Sequence, residues 1–175
     1  MKSNKGFTLI ELLIVVAIIG IISAIAVPGL LRARMAGNEA SAIGSLRAVN
    51  SAQSSYSASC ASGNYAPTLT VLATPPVAGQ DGFISLDLGA DPSLKSGYTV
   101  TQTGGAAAVG APASCNGVVA GAVATTYFVG AVPLVAGSTG SRFFGTNQGG
   151  TIYQSTAAIA VTQFGAPAAP ATPIQ

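Results

Sequence analysis

The ionisable side chains limit the chemistry that this chain can perform. Its 175 residues include seven Lys and Arg, five Asp and Glu, two cysteines and no histidine. Without histidine, neither a Ser-His-Asp triad nor a Cys-His pair can form. Asp81, Asp87 and Asp91 share one short segment, where they either solubilise the surface or at best bind Ca²⁺. We therefore expect no catalytic residue, no metal ion and no cofactor, and the chain is interpreted as not an enzyme.

The two cysteines, Cys60 and Cys115, lie outside any CxxC or Cys/His spacing, so a zinc site is not expected. In an exported protein they are expected to form one disulfide, and two unpaired buried thiols are the alternative. Closing a loop of about 55 residues would stabilise the fold by roughly 4 kcal/mol in the chain-entropy description.

Glu11 is an unusual carboxylate, because it lies inside an otherwise apolar run from Phe7 to Leu31. As a helix this run would be roughly 37 Å long, which is enough to cross a bilayer core of about 30 Å. A secretory signal peptide cut after Ala26 and an ordinary signal anchor are alternatives. Neither explains an acid in the apolar run, which makes Glu11 a candidate functional residue.

Helical character is expected to continue to about Ser59. A stripe at helical spacing (Ile43, Leu46, Val49, Ala52 and Tyr56) predicts that this second half is amphipathic. The opposite side is predicted to carry polar residues: Asn38, Glu39, Ser41, Ser45, Asn50, Ser54 and Ser57. Pro28 and Gly29 predict a kink or local melting near the junction of the two halves.

Residues 60–156 have the pattern of a small β domain. Short β-prone segments separated by Gly and Pro predict an antiparallel meander that covers the helix stripe. They are Phe83–Leu88, Gly97–Thr103, Thr125–Val132, Ser141–Gly145 and Gly150–Gln154. Thr146–Gly150 is predicted to connect a hairpin, and the Ala/Pro-rich residues 157–175 are expected to fray. The predicted fold class is α+β, with a long N-terminal helix packed on an antiparallel sheet.

The stretch Lys5–Leu13, KGFTLIELL, resembles the processing signature of type IV prepilins and of type II secretion pseudopilins. The resemblance implies a leader of residues 1–6 that is cut by prepilin peptidase between Gly6 and Phe7, which then becomes the N-methylated terminus. It implies a filament-core helix at 7–31 and an amphipathic half at 32–59. It also implies that Glu11 is neutralised by the Phe7 amine of a neighbouring subunit, which would fix the register of assembly.

The same resemblance implies a homopolymer built by an inner-membrane assembly platform and its ATPase. The precursor would lie in the inner membrane and the product in an extracellular pilus serving attachment, motility or DNA uptake. A pseudopilin that drives protein export from the periplasm is the alternative. Gly20 and Pro28 are candidates for helix unwinding during assembly, with a harmless kink as the alternative. An electron-conducting filament is disfavoured, because only Phe7 and Tyr56 are aromatic within the long helix.

Charge is sparse, since Asp, Glu, Lys and Arg make up only 7% of the chain. Such a surface is typical of proteins that are embedded or assembled. The net charge of +2 comes from Lys2 and Lys5 in the leader, so it gives no argument for nucleic-acid binding. Four charged helix residues have no opposite charge three or four positions away, and they either contact other subunits or remain solvated. These residues are Arg32, Arg34, Glu39 and Arg47.

Overall fold

The structure, a computed structural model, describes residues 6–174. Lys2 and Lys5 of the predicted leader lie outside the described residues. One long helix, α1 (Leu9–Ser59), precedes a short helix α2 (Leu69–Ala73) and a single 3₁₀ turn (Leu86–Leu88). Six strands follow: β1 (Ser93–Lys95), β2 (Tyr98–Gly104), β3 (Tyr127–Pro133), β4 (Phe143–Asn147), β5 (Ile152–Ser155) and β6 (Thr172–Pro173). The strands pair antiparallel in sequence order, which confirms the predicted α+β class and the meander.

The second half of α1 packs on the sheet through the predicted stripe. Leu46, Val49 and Tyr56 are completely buried, and Ala52 is almost so. They face inward residues of the sheet that include Tyr98, Val100, Val129 and Phe144. Burying each large apolar side chain contributes about 1.5–3 kcal/mol, so this seam holds the helix to the sheet.

One predicted strand is wrong. The segment Phe83–Leu88 forms a loop and the 3₁₀ turn, and its first two amides donate hydrogen bonds to the Leu72 carbonyl of α2. The Phe83 ring packs edge-on against Tyr56, with the ring centroids 5.2 Å apart. Its apolar side chains therefore cover the end of the core without joining the sheet, which strand propensity alone does not reveal.

The prediction that the C-terminal segment frays is wrong for the described residues. Residues Thr172 and Pro173 form β6 on the edge of β5, and the Ile174 amide donates to the Ile152 carbonyl. Upstream, the Asn147 side chain donates to the carbonyls of Thr162 and Gly165, at 2.9 Å each. The segment is thus tied to the sheet by backbone hydrogen bonds, which an Ala/Pro-rich composition does not exclude.

The polar residues of α1 do not all lie away from the sheet, on the side opposite the apolar stripe, as predicted. Glu39 and Ser45 are buried, and Asn50 is half-buried against the sheet. The Asn50 amide donates to the Thr146 hydroxyl at 2.9 Å, and its oxygen accepts from the Tyr127 hydroxyl at 3.1 Å. Helix and sheet therefore share polar contacts as well as the apolar seam.

Glu39 is neither solvated nor free for contact with another subunit, so both interpretations offered for it are wrong. Its carboxylate is 7% exposed and accepts hydrogen bonds from the Ser141 amide (2.8 Å), the Ser141 hydroxyl (2.9 Å) and Arg142 Nε (2.8 Å). A salt bridge of 2.7 Å joins it to a terminal guanidinium nitrogen of Arg142. These bonds attach the β3–β4 connection to the helix just after the apolar run ends.

The environment of Glu39 sets its ionisation. Burial alone would raise the pKa of Glu39, but hydrogen bonds from Ser141 and Arg142, with the Arg142 charge, outweigh it and hold this pKa below 4.5. Because the pKa is lower in the folded state, the ionised carboxylate stabilises the fold above pH 4.5. That stabilisation is lost as the pH falls through the folded-state pKa.

We expect Glu39→Gln to lower the free energy of unfolding by about 2 kcal/mol at pH 7, because a buried pair is broken while the partly exposed Arg142 rehydrates. Urea unfolding of the full chain in detergent, followed by near-UV circular dichroism, measures this. The difference from wild type should shrink as the pH falls through the lowered folded-state pKa of Glu39, because this carboxyl then becomes neutral as well. Asp87→Asn, in the half-exposed pair with Lys95, is the matched control and should cost under about 1 kcal/mol. An equal loss in both variants would contradict this assignment.

Gly140 is packed directly against the buried Tyr98 ring, whose hydroxyl donates to the Arg142 carbonyl at 2.8 Å. A methyl group at this position would overlap the Tyr98 hydroxyl and ring carbons. We expect Gly140→Ala to destabilise the domain by about 1–3 kcal/mol in the same unfolding assay. Gly44→Ala, where the added methyl meets open space on α1, should instead stabilise by up to about 1 kcal/mol. If Gly140→Ala stabilised the domain as Gly44→Ala is expected to, the loss of backbone freedom in the unfolded chain, and not the Tyr98 contact, would decide the outcome at Gly140.

Candidate assembly surface

The first half of α1 has no covering within the chain. Every residue from Phe7 to Leu31 is exposed, and the large apolar side chains range from 50% exposed at Leu31 to 91% at Phe7. An apolar surface of this size on a lone subunit marks a site of contact with lipid or with other proteins.

The length of this half suits a membrane. Helix α1 contains an 18-residue window with a mean hydropathy of 2.9, none of it buried by the rest of the structure. By length and composition it can cross a bilayer, and it is the one helix among residues 6–174 that can. The same surface could equally be buried against copies of itself.

The beginning of α1 is set by a capping box, which the sequence interpretation missed although its signature, Thr8-x-x-Glu11, is visible. The Glu11 amide donates to the Thr8 hydroxyl oxygen at 3.3 Å. In return, the Thr8 amide and hydroxyl donate to Glu11 Oε2 at 2.8 and 2.7 Å. Gly6, Phe7 and Thr8 therefore precede the helix, with the predicted cleavage site in non-helical backbone.

The capping box leaves half of the Glu11 carboxylate available. Both hydrogen bonds go to Oε2, and Oε1 accepts none from the described residues. Glu11 is exposed on the uncovered half of α1. Once this half enters an apolar environment, the remaining oxygen requires a partner, because an unpaired buried charge is costly.

Gly20 and Pro28 lie in unbroken helix, so the local melting predicted near Pro28 and Gly29 is absent from this single chain. Pro28 has no amide to donate, which leaves the Ala24 carbonyl without its helical hydrogen bond. A methyl group at Gly20 or Gly29 would meet open space. Packing within the chain therefore does not require either glycine, and a role for Gly20 and Pro28 in assembly stays a prediction.

Three arginines extend the uncovered surface of α1 beyond the apolar run. Arg32, Arg34 and Arg47 are exposed, and none forms a salt bridge within residues 6–174. Their charges are available to partners outside the chain, in contrast to Glu39.

The disulfide between Cys60 and Cys115 is present, as predicted, and joins the end of α1 to the loop before β3. The Cys115 amide also donates to the Cys60 carbonyl at 3.0 Å. Next to the disulfide, the side-chain amide of Asn116 donates to the Val71 carbonyl at 2.7 Å, which links the loop to α2 as well. The far end of the domain is therefore closed by covalent and polar contacts.

The aspartates do not combine into a metal centre in the described part of the chain, where no cluster of three or more acidic, His or Cys ligands occurs. Asp91 accepts from the Leu69 and Gln102 amides at 3.0 and 3.1 Å, and Asp87 pairs with Lys95. Hydrogen bonding from Lys95 and Ser85 lowers the pKa of Asp87. Two of the three aspartates therefore have local structural roles.

A cleft of about 660 Å³ lies between the end of α1 and the β4–β5 turn. It is lined by Asn50, Ser54, Ser57, Tyr65, Tyr127 and Gln148, together with small residues, and no charged side chain reaches it. Burial raises the pKa of the Tyr127 hydroxyl well above its ordinary value, so this phenol stays protonated. A lining without an acid, a base or an activated nucleophile gives no basis for catalysis.

Comparison with known proteins finds a family match in the exposed half of α1. Residues 1–27 match the family described as the prokaryotic N-terminal methylation motif. The type IV major pilin protein PilA of Myxococcus xanthus is 49% identical over 53 residues, 30% of this chain and 24% of that protein. The type IV wide pilus major component PilA4 of Thermus thermophilus is 59% identical over 39 residues, 22% of this chain and 30% of that protein.

A fimbrial protein of Pseudomonas aeruginosa is 79% identical over 28 residues, 16% of this chain and 18% of that protein. The matched segment thus spans less than a third of each of these relatives. No solved structure matches the chain significantly. The family match covers most of the uncovered rod, including Gly6, Phe7 and Glu11. By its N-terminal segment the chain is therefore similar to type IV pilins and fimbrial proteins, and residues 1–27 contain the prokaryotic N-terminal methylation motif.

Proposed function

We propose that this chain is the structural subunit of a type IV pilus-like filament, in which the exposed halves of α1 from many copies pack together. The observation that carries the proposal is the uncovered apolar rod at Phe7–Leu31, attached without interruption to a folded domain. Before assembly a bilayer covers this rod, and after assembly neighbouring rods replace the lipid.

Assembly in this proposal depends on Glu11 and Phe7. Removal of residues 1–6 by prepilin peptidase would create an amino group at Phe7, which is then methylated. This amine on one subunit meets Glu11 Oε1 on the next, the carboxylate oxygen that the capping box leaves unbonded. A pair of this kind satisfies a buried charge at one register only, which specifies where each subunit stops.

The export machinery is part of the same proposal. The precursor is held in the inner membrane by α1, and an assembly platform with its ATPase extracts it into the growing filament. The product lies outside the cell, where attachment, motility and DNA uptake are its candidate activities.

A pseudopilin that drives protein export from the periplasm is the second candidate, because pseudopilins carry the same N-terminal signature. Two observations favour the surface pilus. Charged residues are only 7% of the chain, and the relatives are named as major pilus components and a fimbrial protein. Electron microscopy of cells expressing the chain distinguishes the two, since only a pilus extends beyond the cell surface.

The identity of the filament subunit can be tested by mass spectrometry of sheared extracellular filaments. We expect this chain as the major component, beginning at an N-methylated Phe7. Gly6→Val is the matched variant: nothing lies within 4 Å of the added side-chain position, so the fold should persist. Cleavage should nevertheless fail, because a bulkier residue obstructs the close approach of the peptidase to the backbone. A secreted product that starts after Ala26 would refute the proposal.

The proposed register contact can be tested with Glu11→Gln. Glutamine can still accept from the Thr8 amide in a capping box, so α1 should begin at the same residue. The charge is lost, however, and we expect filament yield to fall at least about tenfold, which corresponds to about 1.4 kcal/mol per contact. Insertion and cleavage should be unchanged. Thr8→Val, which removes the hydroxyl and keeps the charge of Glu11, is the control. Normal filaments from Glu11→Gln would exclude the contact between Glu11 and the Phe7 amine.

A further inference from the structure

One rim of the globular domain lies close to the apolar half of α1. This rim consists of the β1–β2 turn at residues 95–97 and the β3–β4 loop at 134–141. The Ser41 hydroxyl donates to the Ser96 hydroxyl at 2.9 Å, and the side-chain amide of Asn38 donates to the Thr139 carbonyl at 2.8 Å. The contacts of Glu39 with Ser141 fall at the same level. The rim is therefore attached to α1 at positions 38–41.

The distance from the rim to a membrane follows from helix geometry. Asn38 lies seven positions after Leu31, the last residue of the apolar run, and in unbroken helix this corresponds to a rise of about 10 Å. The headgroup layer extends about 5–8 Å beyond each face of the hydrocarbon core. Because α1 continues without a linker, the inserted chain holds its rim next to the lipid headgroups.

Two apolar side chains of the rim are exposed. Leu134 and Val135 are 52% and 58% exposed, although the backbone that carries them is well ordered by hydrogen bonds. The Leu134 amide donates to the Gly97 carbonyl at 2.9 Å, and the Val135 amide donates to the Thr139 hydroxyl at 3.1 Å. These hydrogen bonds hold the loop in a conformation that leaves both side chains exposed.

The charge of this region is positive. Arg32 and Arg34 are exposed without a salt bridge among the described residues, and they lie between the apolar run and the rim. Lys95 of the rim is paired with Asp87, and Arg142, which follows the rim directly, is paired with Glu39. No unpaired carboxylate lies at 32–41, 95–97 or 134–142, so Arg32 and Arg34 leave this region with two net positive charges.

We propose that, in the membrane-inserted precursor, this rim docks on the headgroups of anionic phospholipids. Arg32 and Arg34 bind the headgroup phosphates, and Leu134 and Val135 insert at the boundary with the acyl chains. The contact holds the domain in one orientation over the bilayer until the subunit is extracted. It depends on the membrane insertion in the proposed function and does not depend on filament formation.

The test places an environment-sensitive fluorophore on Leu134→Cys in the full chain, reconstituted into vesicles of phosphatidylcholine with or without phosphatidylglycerol. The native cysteines are in a disulfide and do not react. The matched control is Val109→Cys, a valine that is 94% exposed in the segment carrying Cys115, at the opposite end of the domain. Circular dichroism and retention of the disulfide establish that each variant is folded.

We expect the Leu134 probe to emit at shorter wavelength and to be quenched by lipids brominated near the headgroup, more strongly with phosphatidylglycerol present. The Val109 probe should show neither effect. Arg32→Gln with Arg34→Gln should abolish the dependence on phosphatidylglycerol. Identical emission from the two probes would overturn the docking, and quenching that is independent of phosphatidylglycerol would overturn the anionic specificity.

Shielding of Leu134 in filaments but not in vesicles would identify a second copy as its partner and would also overturn the proposal. Failure of the chain to form filaments leaves the vesicle measurement unaffected. The two proposals therefore fail separately.

Discussion

The structure depends on one constraint: a single unbroken helix must satisfy two different environments. From Phe7 to Leu31 its side chains have no partner in the chain, whereas from Asn38 onward one side is buried under a sheet. In water the first half would expose a large apolar surface, which hydrophobic hydration strongly disfavours. An apolar surface of this size marks a site of contact with lipid or with other proteins.

Two carboxylates on α1 illustrate this division. Glu39 is buried and fully bonded to Ser141 and Arg142 within its own chain, so its charge serves the fold. Glu11 lies on the uncovered half, and one of its oxygens has no donor among the described residues. Because a charge can be buried only with a partner, Glu39 stabilises the fold, whereas burial of Glu11 in apolar surroundings would require a further partner.

The domain is held to α1 at both of its ends. Near the membrane, Glu39 and Asn38 fasten the β3–β4 loop, and at the far end the Cys60–Cys115 disulfide fastens the loop before β3. The apolar seam around Leu46, Val49 and Tyr56 lies between these two attachments. A domain restrained in this way moves with its helix, so a force applied along α1 is transmitted to the whole subunit.

The amino-acid sequence by itself determined the long helix, its apolar and amphipathic halves and the antiparallel meander, although one of the five expected strands was wrong. These follow from local periodicity, composition and turn residues, which need no knowledge of distant contacts. The order Gly6, Phe7 and Glu11, on which the predicted processing and assembly contacts are based, is likewise a local pattern. It was visible without any structure.

Only the tertiary structure decided the partners of Glu39, the loop conformation of Phe83–Leu88 and the pairing of β6 with β5. Each depends on groups far apart in sequence: Glu39 meets Arg142 across 103 positions. Helical spacing showed that Glu39 had no local counterion, but it could not show which distant residue supplies one. Long-range packing overrides local propensity at such positions, because burial of a polar group is tolerated only where the fold provides its hydrogen bonds.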